Sequence, residues 1–330
     1  MDAKITKSRL GLLLSYDWIK IVGICVAVVL LWLLIFTMTA TRATPGQSFE
    51  LYAYGGVSLN TMNFPGLGEL REKGAFSDDV LDFAAQSVTE DQYQDMILQA
   101  WFAAGQGDAI LLADSEPTLD ENGNVTAYTG LTEFLRSDSY RSNSYWLGED
   151  GYETDGRVVY EKSYFTQCAE YLNRFYPGGY EGGTLENMDR AAVEKNFRAR
   201  IEGDKRYKNE VQIAEGLEKE YARIRNLRDA FAAVYEWTHN DSAEDPIELR
   251  VTRVEYDSNG DGTADGTFEW TFAFDLSNIK NITRFAGNAS DGPSTSEGLC
   301  LVALSGGCLN EVDLAFEQFT LLKYLADTYM

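Results

Sequence analysis

Two short stretches carry side chains whose type and spacing could do chemistry. In DSNGDGTAD (257–265), Asp257, Asn259 and Asp261 alternate, Gly262 permits a sharp turn, and Asp265 stands at the ninth position. Oxygen ligands at alternate positions wrap a hard cation, so the spacing predicts calcium held by these four side chains. The twelfth position, where a helix–loop–helix calcium site wants a bidentate Glu, is Phe268, and Glu269 comes one residue late. A hairpin turn rich in Asp, Asn and Gly needs no metal and is the alternative. A bound ion would brace the loop rather than react. The second stretch is QAWFAAGQGDAILLADSE (99–116), in which a helix stops at Gly105 and a burst of strand formers delivers Asp114 and Ser115. Asp114 either caps the next turn or meets a ligand.

Those residues need elements to hold them. FELYAYGGVS (49–58) reads as a strand running into a Gly-Gly turn, and VLDFAAQS (80–87) as a second strand. Thr89 and Gln92 have capping-box spacing. Tyr93, Met96, Ile97, Ala100, Trp101 and Ala104 follow at helical spacing and predict one buried stripe. DAILLAD is nearly continuous in apolar residues, as a strand covered on both faces would be. Strand, helix and strand in this order open a doubly wound α/β domain. Residues 118–160 are turn-rich. SYFTQCAEYLNRFY (163–176) is a helix, and the chain is helical over 185–238 with a break at Gly203 and Asp204. In its second half, Val211, Ala214, Leu217, Tyr221, Ile224, Phe231 and Tyr235 predict the buried stripe. ELRVTRVEY and TFEWTFAFDL are strands, and Phe268, Trp270, Phe272 and Phe274 alternate to give the latter one core face. GLCLVAL is a further buried strand, and an amphipathic helix closes the chain.

The N-terminal part reads differently. Residues 21–38 contain no charge and reach roughly 27 Å as a helix, close to the hydrocarbon thickness of a bilayer. Lys4, Lys7, Arg9 and Lys20 precede this run and only Arg42 follows closely, so residues 1–20 are expected in the cytoplasm. Residues 39–47 are then a linker and residues 48–330 an extracellular α/β domain. A cleaved secretory signal is the competing reading, but the apolar run is long for one. The whole chain carries a formal charge of −24, and its N-terminal part holds more basic than acidic side chains, so the large domain is more acidic still. Such a surface repels nucleic acid and anionic headgroups and attracts cations. Cys25 falls in the apolar run and Cys168 stands alone, while Cys300 and Cys308 are either two buried thiols or a short disulfide. The one histidine, His239, follows a long helix and reads as a C-terminal capping group.

The order strand, helix, strand with AAGQGDAILLAD at the crossover resembles extracellular solute-binding proteins that feed ABC importers. The closing AFEQFTLLKYLADTY is similar to that family's late helix. DSNGDGTAD in turn resembles the short DxNxDGxxD calcium loops of extracellular bacterial modules. The first resemblance implies a periplasmic-binding-protein-like two-lobed domain with a long helical insertion. It implies a small polar solute as ligand, such as a saccharide, importer membrane subunits as partners, and no catalysis. Open α/β sheets hold ligands beyond the carboxyl ends of their strands, so Tyr54, Gly55, Gly56, Asp114 and Ser115 point at one cleft. A carboxylate suits a hydroxyl-rich ligand if a ring stacks beside it, and Trp146 and Trp237 are the candidate rings. An anchored scaffold that keeps the fold without the ligand is the alternative. A third is a hydrolase pairing Asp114 with an acid such as Asp150 or Glu236.

Overall fold

The computed structural model describes residues 11, 18–39, 43–62, 64–88, 93–115, 118–119, 121, 125–128, 130–154, 157–159, 161–240, 242, 244–256, 266–290, 292–307, 314 and 316–330. Met1–Arg42 and Ala43–Met330 are separate compact units. In the first, helix α1 (Trp18–Thr39) exposes its apolar side chains, and Trp18–Thr37 is long and apolar enough to cross a membrane. A signal sequence has the same character. The capping-box residues Thr89 and Gln92, the calcium-loop residues Asp257, Asn259, Asp261 and Asp265, and Cys308 lie outside the described residues.

The second unit begins with β1 (Ser48–Tyr54), β2 (Val57–Leu59), α2 (Leu67–Glu72), β3 (Asp82–Ser87), α3 (Gln94–Ala103) and β4 (Ala109–Ala113). Two small hairpins, β5 (Thr118–Leu119) with β6 (Val125–Ala127) and β7 (Tyr152–Thr154) with β8 (Arg157–Val159), flank α4 (Gly130–Arg136) and α5 (Asp138–Arg141). Then come α6 (Tyr164–Asn173), α7 (Arg190–Arg200) and the long α8 (Glu210–His239). The chain ends with β9 (Glu248–Tyr256), β10 (Gly266–Asp275), β11 (Ala286–Asn288), β12 (Leu299–Ala303) and α9 (Glu317–Tyr329). The main sheet runs β3-β1-β4-β12-β10-β9. The first three strands are parallel, as the crossover pattern predicts, and β12, β10 and β9 continue it in antiparallel pairings.

Strict alternation sorts the central strands between two cores. Leu51, Leu111 and Leu301 face the core beneath α6, α8 and α9; Tyr52, Ile110, Leu112 and Val302 face the one beneath α3 and α4. All five residues of β4 are buried, and its three large side chains stabilise the fold by roughly 1.5–3 kcal/mol each.

Three expectations need correction. In β10, Phe268, Trp270 and Phe272 share a core, but Phe274 lies in the other. A bulge between Thr271 and Ala273 inserts one residue against β9 and inverts the alternation. On α3 the buried residues are Leu98 and Phe102, with Ile97 and Trp101 half-buried, whereas Tyr93 and Met96 face solvent. The 185–238 run does part around Gly203, where the sequence has its break, into α7 and α8. On α8 the stripe holds through Tyr221, Ile224 and Phe231, while Val211 and Tyr235 are exposed.

Polar residues on the buried side of α8 explain how these helices dock. Glu220 is 2 % exposed and accepts from Arg200 Nη1 at 2.9 Å and from Arg223 Nε at 2.9 Å. Arg200 also reaches Asp79 at 2.7 Å, and Arg223 donates to Tyr171 Oη at 2.6 Å and faces Glu317 at 3.5 Å. One cluster thereby joins α6, α7, α8, α9 and the segment before β3. Burial pushes the Glu220 carboxyl up, but the two guanidinium groups outweigh it and hold the pKa at about 2. Glu317, more deeply buried than it is compensated, is raised.

The Glu220 contribution is full above its ordinary carboxylate range and is lost as pH falls from about 4.5 toward about 2. Glu317 has the opposite sign, contributing most at low pH. Glu220→Gln should lower stability at pH 7 by about 3–5 kcal/mol, because two buried guanidinium groups lose their carboxylate. It should also flatten the acid limb of the stability curve. Urea unfolding at pH 7, 4.5 and 3 measures both, and an unchanged acid limb would show that Glu220 does not drive it.

Candidate functional site

Because β12 runs antiparallel to β4 and β10 antiparallel to β12, the carboxyl ends of β1, β4 and β10 share one sheet edge with the amino ends of β12 and β9. Ladder pairing sets Ala113 opposite Leu299 and Asp275 opposite Glu248. A cavity of about 1190 Å³ opens at this edge, bordered by Asp114, Ser115, Arg250, Thr252, Asp275 and Ser277, with Thr132 of α4 among its other walls.

Backbone bonds place Asp114, and a short side chain holds the Asp275 carboxylate. The Asp114 amide donates to Gly298 O at 2.7 Å. Asp275 Oδ1 accepts from the Ser277 amide at 2.8 Å and from Ser277 Oγ at 2.5 Å, and Ser277 Oγ accepts from the Gly298 amide at 3.0 Å. Arg250, at the start of β9, bridges the two. Its Nε donates to Asp114 Oδ2 at 2.6 Å and its Nη1 to Asp275 Oδ2 at 3.2 Å. Burial lowers the Arg250 guanidinium, and Asp114 more than offsets this, leaving it above its ordinary value. Cys300, beside Asp275 in the sheet, is a buried free thiol raised well above its ordinary pKa by burial, so it is protonated at neutral pH.

Of the side chains expected at a cleft, the structure brings Asp114 and Ser115 to this cavity. Tyr54 points instead into the core under α3, donating to Asp95 Oδ1 at 2.6 Å. Gly55 packs against α4: a Cβ there would stand 3.1 Å from Gly130 Cα, so the space beyond β1 is filled by protein. Trp146 is buried in the same core as Tyr54 and donates to Glu149 O at 2.5 Å. Trp237 is half-buried against the opposite core. Neither indole reaches the cavity, and no aromatic side chain lines it among the described residues. Asp150 holds the start of α6 through the Ser163 amide at 2.9 Å, and Glu236 is exposed on α8, so neither is the acid that faces Asp114. His239 closes α8 as expected, with Nδ1 3.0 Å from Tyr235 O.

No family model, curated protein or solved structure matches this chain. The chemistry of the site therefore rests on its own side chains. Sequence reasoning missed Arg250, Asp275 and Ser277. Asp275 was within reach, since it ends the apolar run of β10 as Asp114 ends that of β4. Arg250 had no such signal, because only the fold brings β9 within reach of β4's end.

Gly298 has φ of 67°, and a Cβ there would lie 2.3 Å from Asp114 O. Gly298→Ala should thus cost about 1–3 kcal/mol from backbone strain, plus displacement of Asp114. Gly179→Ala, at φ 92° with nothing within 4 Å, carries the strain alone. Equal losses for both variants in urea unfolding would show that the close approach at Asp114 is not tight.

Proposed function

We propose that Ala43–Met330 captures a small polar solute in the cavity at the carboxyl edge of the sheet and passes it to the membrane subunits of an ABC importer. Helix α1 tethers the domain to the cell membrane, with the N-terminus cytoplasmic and the large domain outside. The observation that carries the proposal is a cavity of about 1190 Å³ at the ends of β4 and β10, walled by the carboxylates of Asp114, Asp275 and Glu297, the guanidiniums of Arg250 and Arg253, and several hydroxyls. That is where open α/β sheets hold ligands, and convergent polar groups on a rigid sheet edge are what orient a small solute. In fold terms, β3, β1 and β4 with their crossover helices are taken as the counterpart of a lobe of a periplasmic-binding-protein-like domain. The role proposed is binding rather than catalysis.

The anchored-scaffold alternative draws on a different observation. Ala43–Met330 forms one compact unit with one large sheet, rather than two lobes that could close on a ligand. Calorimetric titration of the full chain in detergent with sugars, amino acids, organic acids and polyamines separates the two. Heat of binding from at least one class, lost in Asp114→Asn, is the outcome expected of solute capture; silence across the panel leaves the scaffold.

Calcium at Asp257, Asn259, Asp261 and Asp265 belongs to the same proposal as a structural brace. Tyr256 pairs with Gly266 across the β9–β10 ladder, so the segment carrying the four side chains leaves and rejoins the sheet at one place. Chelation should lower the melting temperature by a few degrees, added calcium should restore it, and Asp261→Asn should abolish the difference. A melting temperature indifferent to both would remove calcium from the proposal.

A further inference from the structure

The charges at the cavity differ in number and in exposure. The Asp114 and Asp275 side chains are 13 % and 14 % exposed, whereas the Arg250 side chain that bridges them is 40 % exposed. Ser277 holds the Asp275 carboxylate, and Gly298 holds the backbone of Asp114, at the ends of inner strands. The cation arrives on a long flexible side chain from the terminal strand of the sheet. Among the described residues that line the cavity, acids outnumber bases. Glu297 lines the cavity as well, and the other basic lining residue, Arg253, is paired with Glu269 at 2.9 Å.

This arrangement ranks ligand chemistries. An anionic ligand would have to win Arg250 from two carboxylates already bonded to it, inside a domain that is strongly acidic overall. A saccharide would find hydroxyl partners but no ring to stack on among the described residues. An ammonium or guanidinium group meets two carboxylates already placed to share one cation, whose present partner is the most exposed of the three side chains. Thr252, 5 % exposed, also lines the cavity, and among the described residues its buried hydroxyl has no hydrogen-bond partner.

We infer that Asp114 and Asp275 form a receptor for the ammonium or guanidinium group of a small organic cation, and that Arg250 is the resident cation which the ligand displaces. The inference rests on the solute-capture proposal and narrows it to one ligand class. Arg250 then sets affinity by competition: a tethered side chain competes at an effective concentration on the order of millimolar or above. Removing it strengthens binding instead of weakening it, which a purely structural or anion-anchoring Arg250 would not do.

The test uses the full chain in detergent and four probes: agmatine, putrescine, glucose and malate. Agmatine or putrescine should bind the unaltered chain, and Arg250→Met should tighten that binding about tenfold or more. Arg250→Met should also melt lower than the unaltered chain and be restored by agmatine, but not by sodium chloride at equal ionic strength. Asp114→Asn combined with Arg250→Met should abolish both effects, with circular dichroism checking that the variant is folded. If the double variant does not fold, competition on the unaltered chain decides: agmatine and putrescine must exclude each other. Binding of glucose or malate without either amine overturns the inference and leaves solute capture standing. Amine binding that Arg250→Met weakens or leaves unchanged overturns it as well; silence from all four probes overturns it too, and solute capture falls with it only if the wider panel is also silent.

Discussion

The antiparallel pairing of β12 with β4 is the constraint on which the rest of the domain depends. It joins a parallel half, β3-β1-β4, to an antiparallel half, β12-β10-β9, through two strands buried on both faces. Since each strand alternates between two cores, a slip of one residue would exchange their contents, so burial fixes the register firmly. The same pairing brings the ends of β4 and β10 to one edge and carries β9 with them. Without it, Asp114, Asp275 and Arg250 would belong to unconnected parts of the chain.

A second constraint governs the helical layer. Burying Glu220, Arg200 and Arg223 removes three charges from water, a cost of several kcal/mol each before compensation. The cluster offsets that cost because Glu220 is bonded by both guanidinium groups, which also reach Asp79 and Tyr171, while Arg223 Nη1 and Glu317 Oε1 face each other at 3.5 Å without a hydrogen bond. Such a cluster contributes less to net stability than to docking: an apolar face could slide, whereas a two-guanidinium clamp on one carboxylate has one register. The pair α7 and α8 is therefore tied to α9 and to the segment before β3.

The two charge clusters differ in exposure and so in what they can do. Around Glu220 every member is buried, and exchange with solvent ions is blocked. At the sheet edge the carboxylates are mostly buried while the guanidinium faces water, so the pair is screened and replaceable. The strong negative charge of the chain, which repels nucleic acid, raises the local concentration of cations at such an opening.

Local pattern alone determined much of this protein. The apolar run of α1, the strand–helix–strand opening, the doubly buried β4, the Gly stop after α3 and the closing helix follow from hydrophobic spacing and breakers, which act over a few residues. Asp114 was legible as a strand-end carboxylate for the same reason. Tertiary structure decided the rest. Only sheet order could show that Gly55 abuts Gly130 and not a cleft, and that Tyr54 and Trp146 belong to a core. Only a bulge against β9 could send Phe274 to the opposite face from Phe272. Arg250 lies more than a hundred residues from Asp114 in sequence, and nothing local marks it as that carboxylate's partner. Short-range periodicity reports which residues are buried; which of them meet depends on strand order, and strand order is a property of the folded chain.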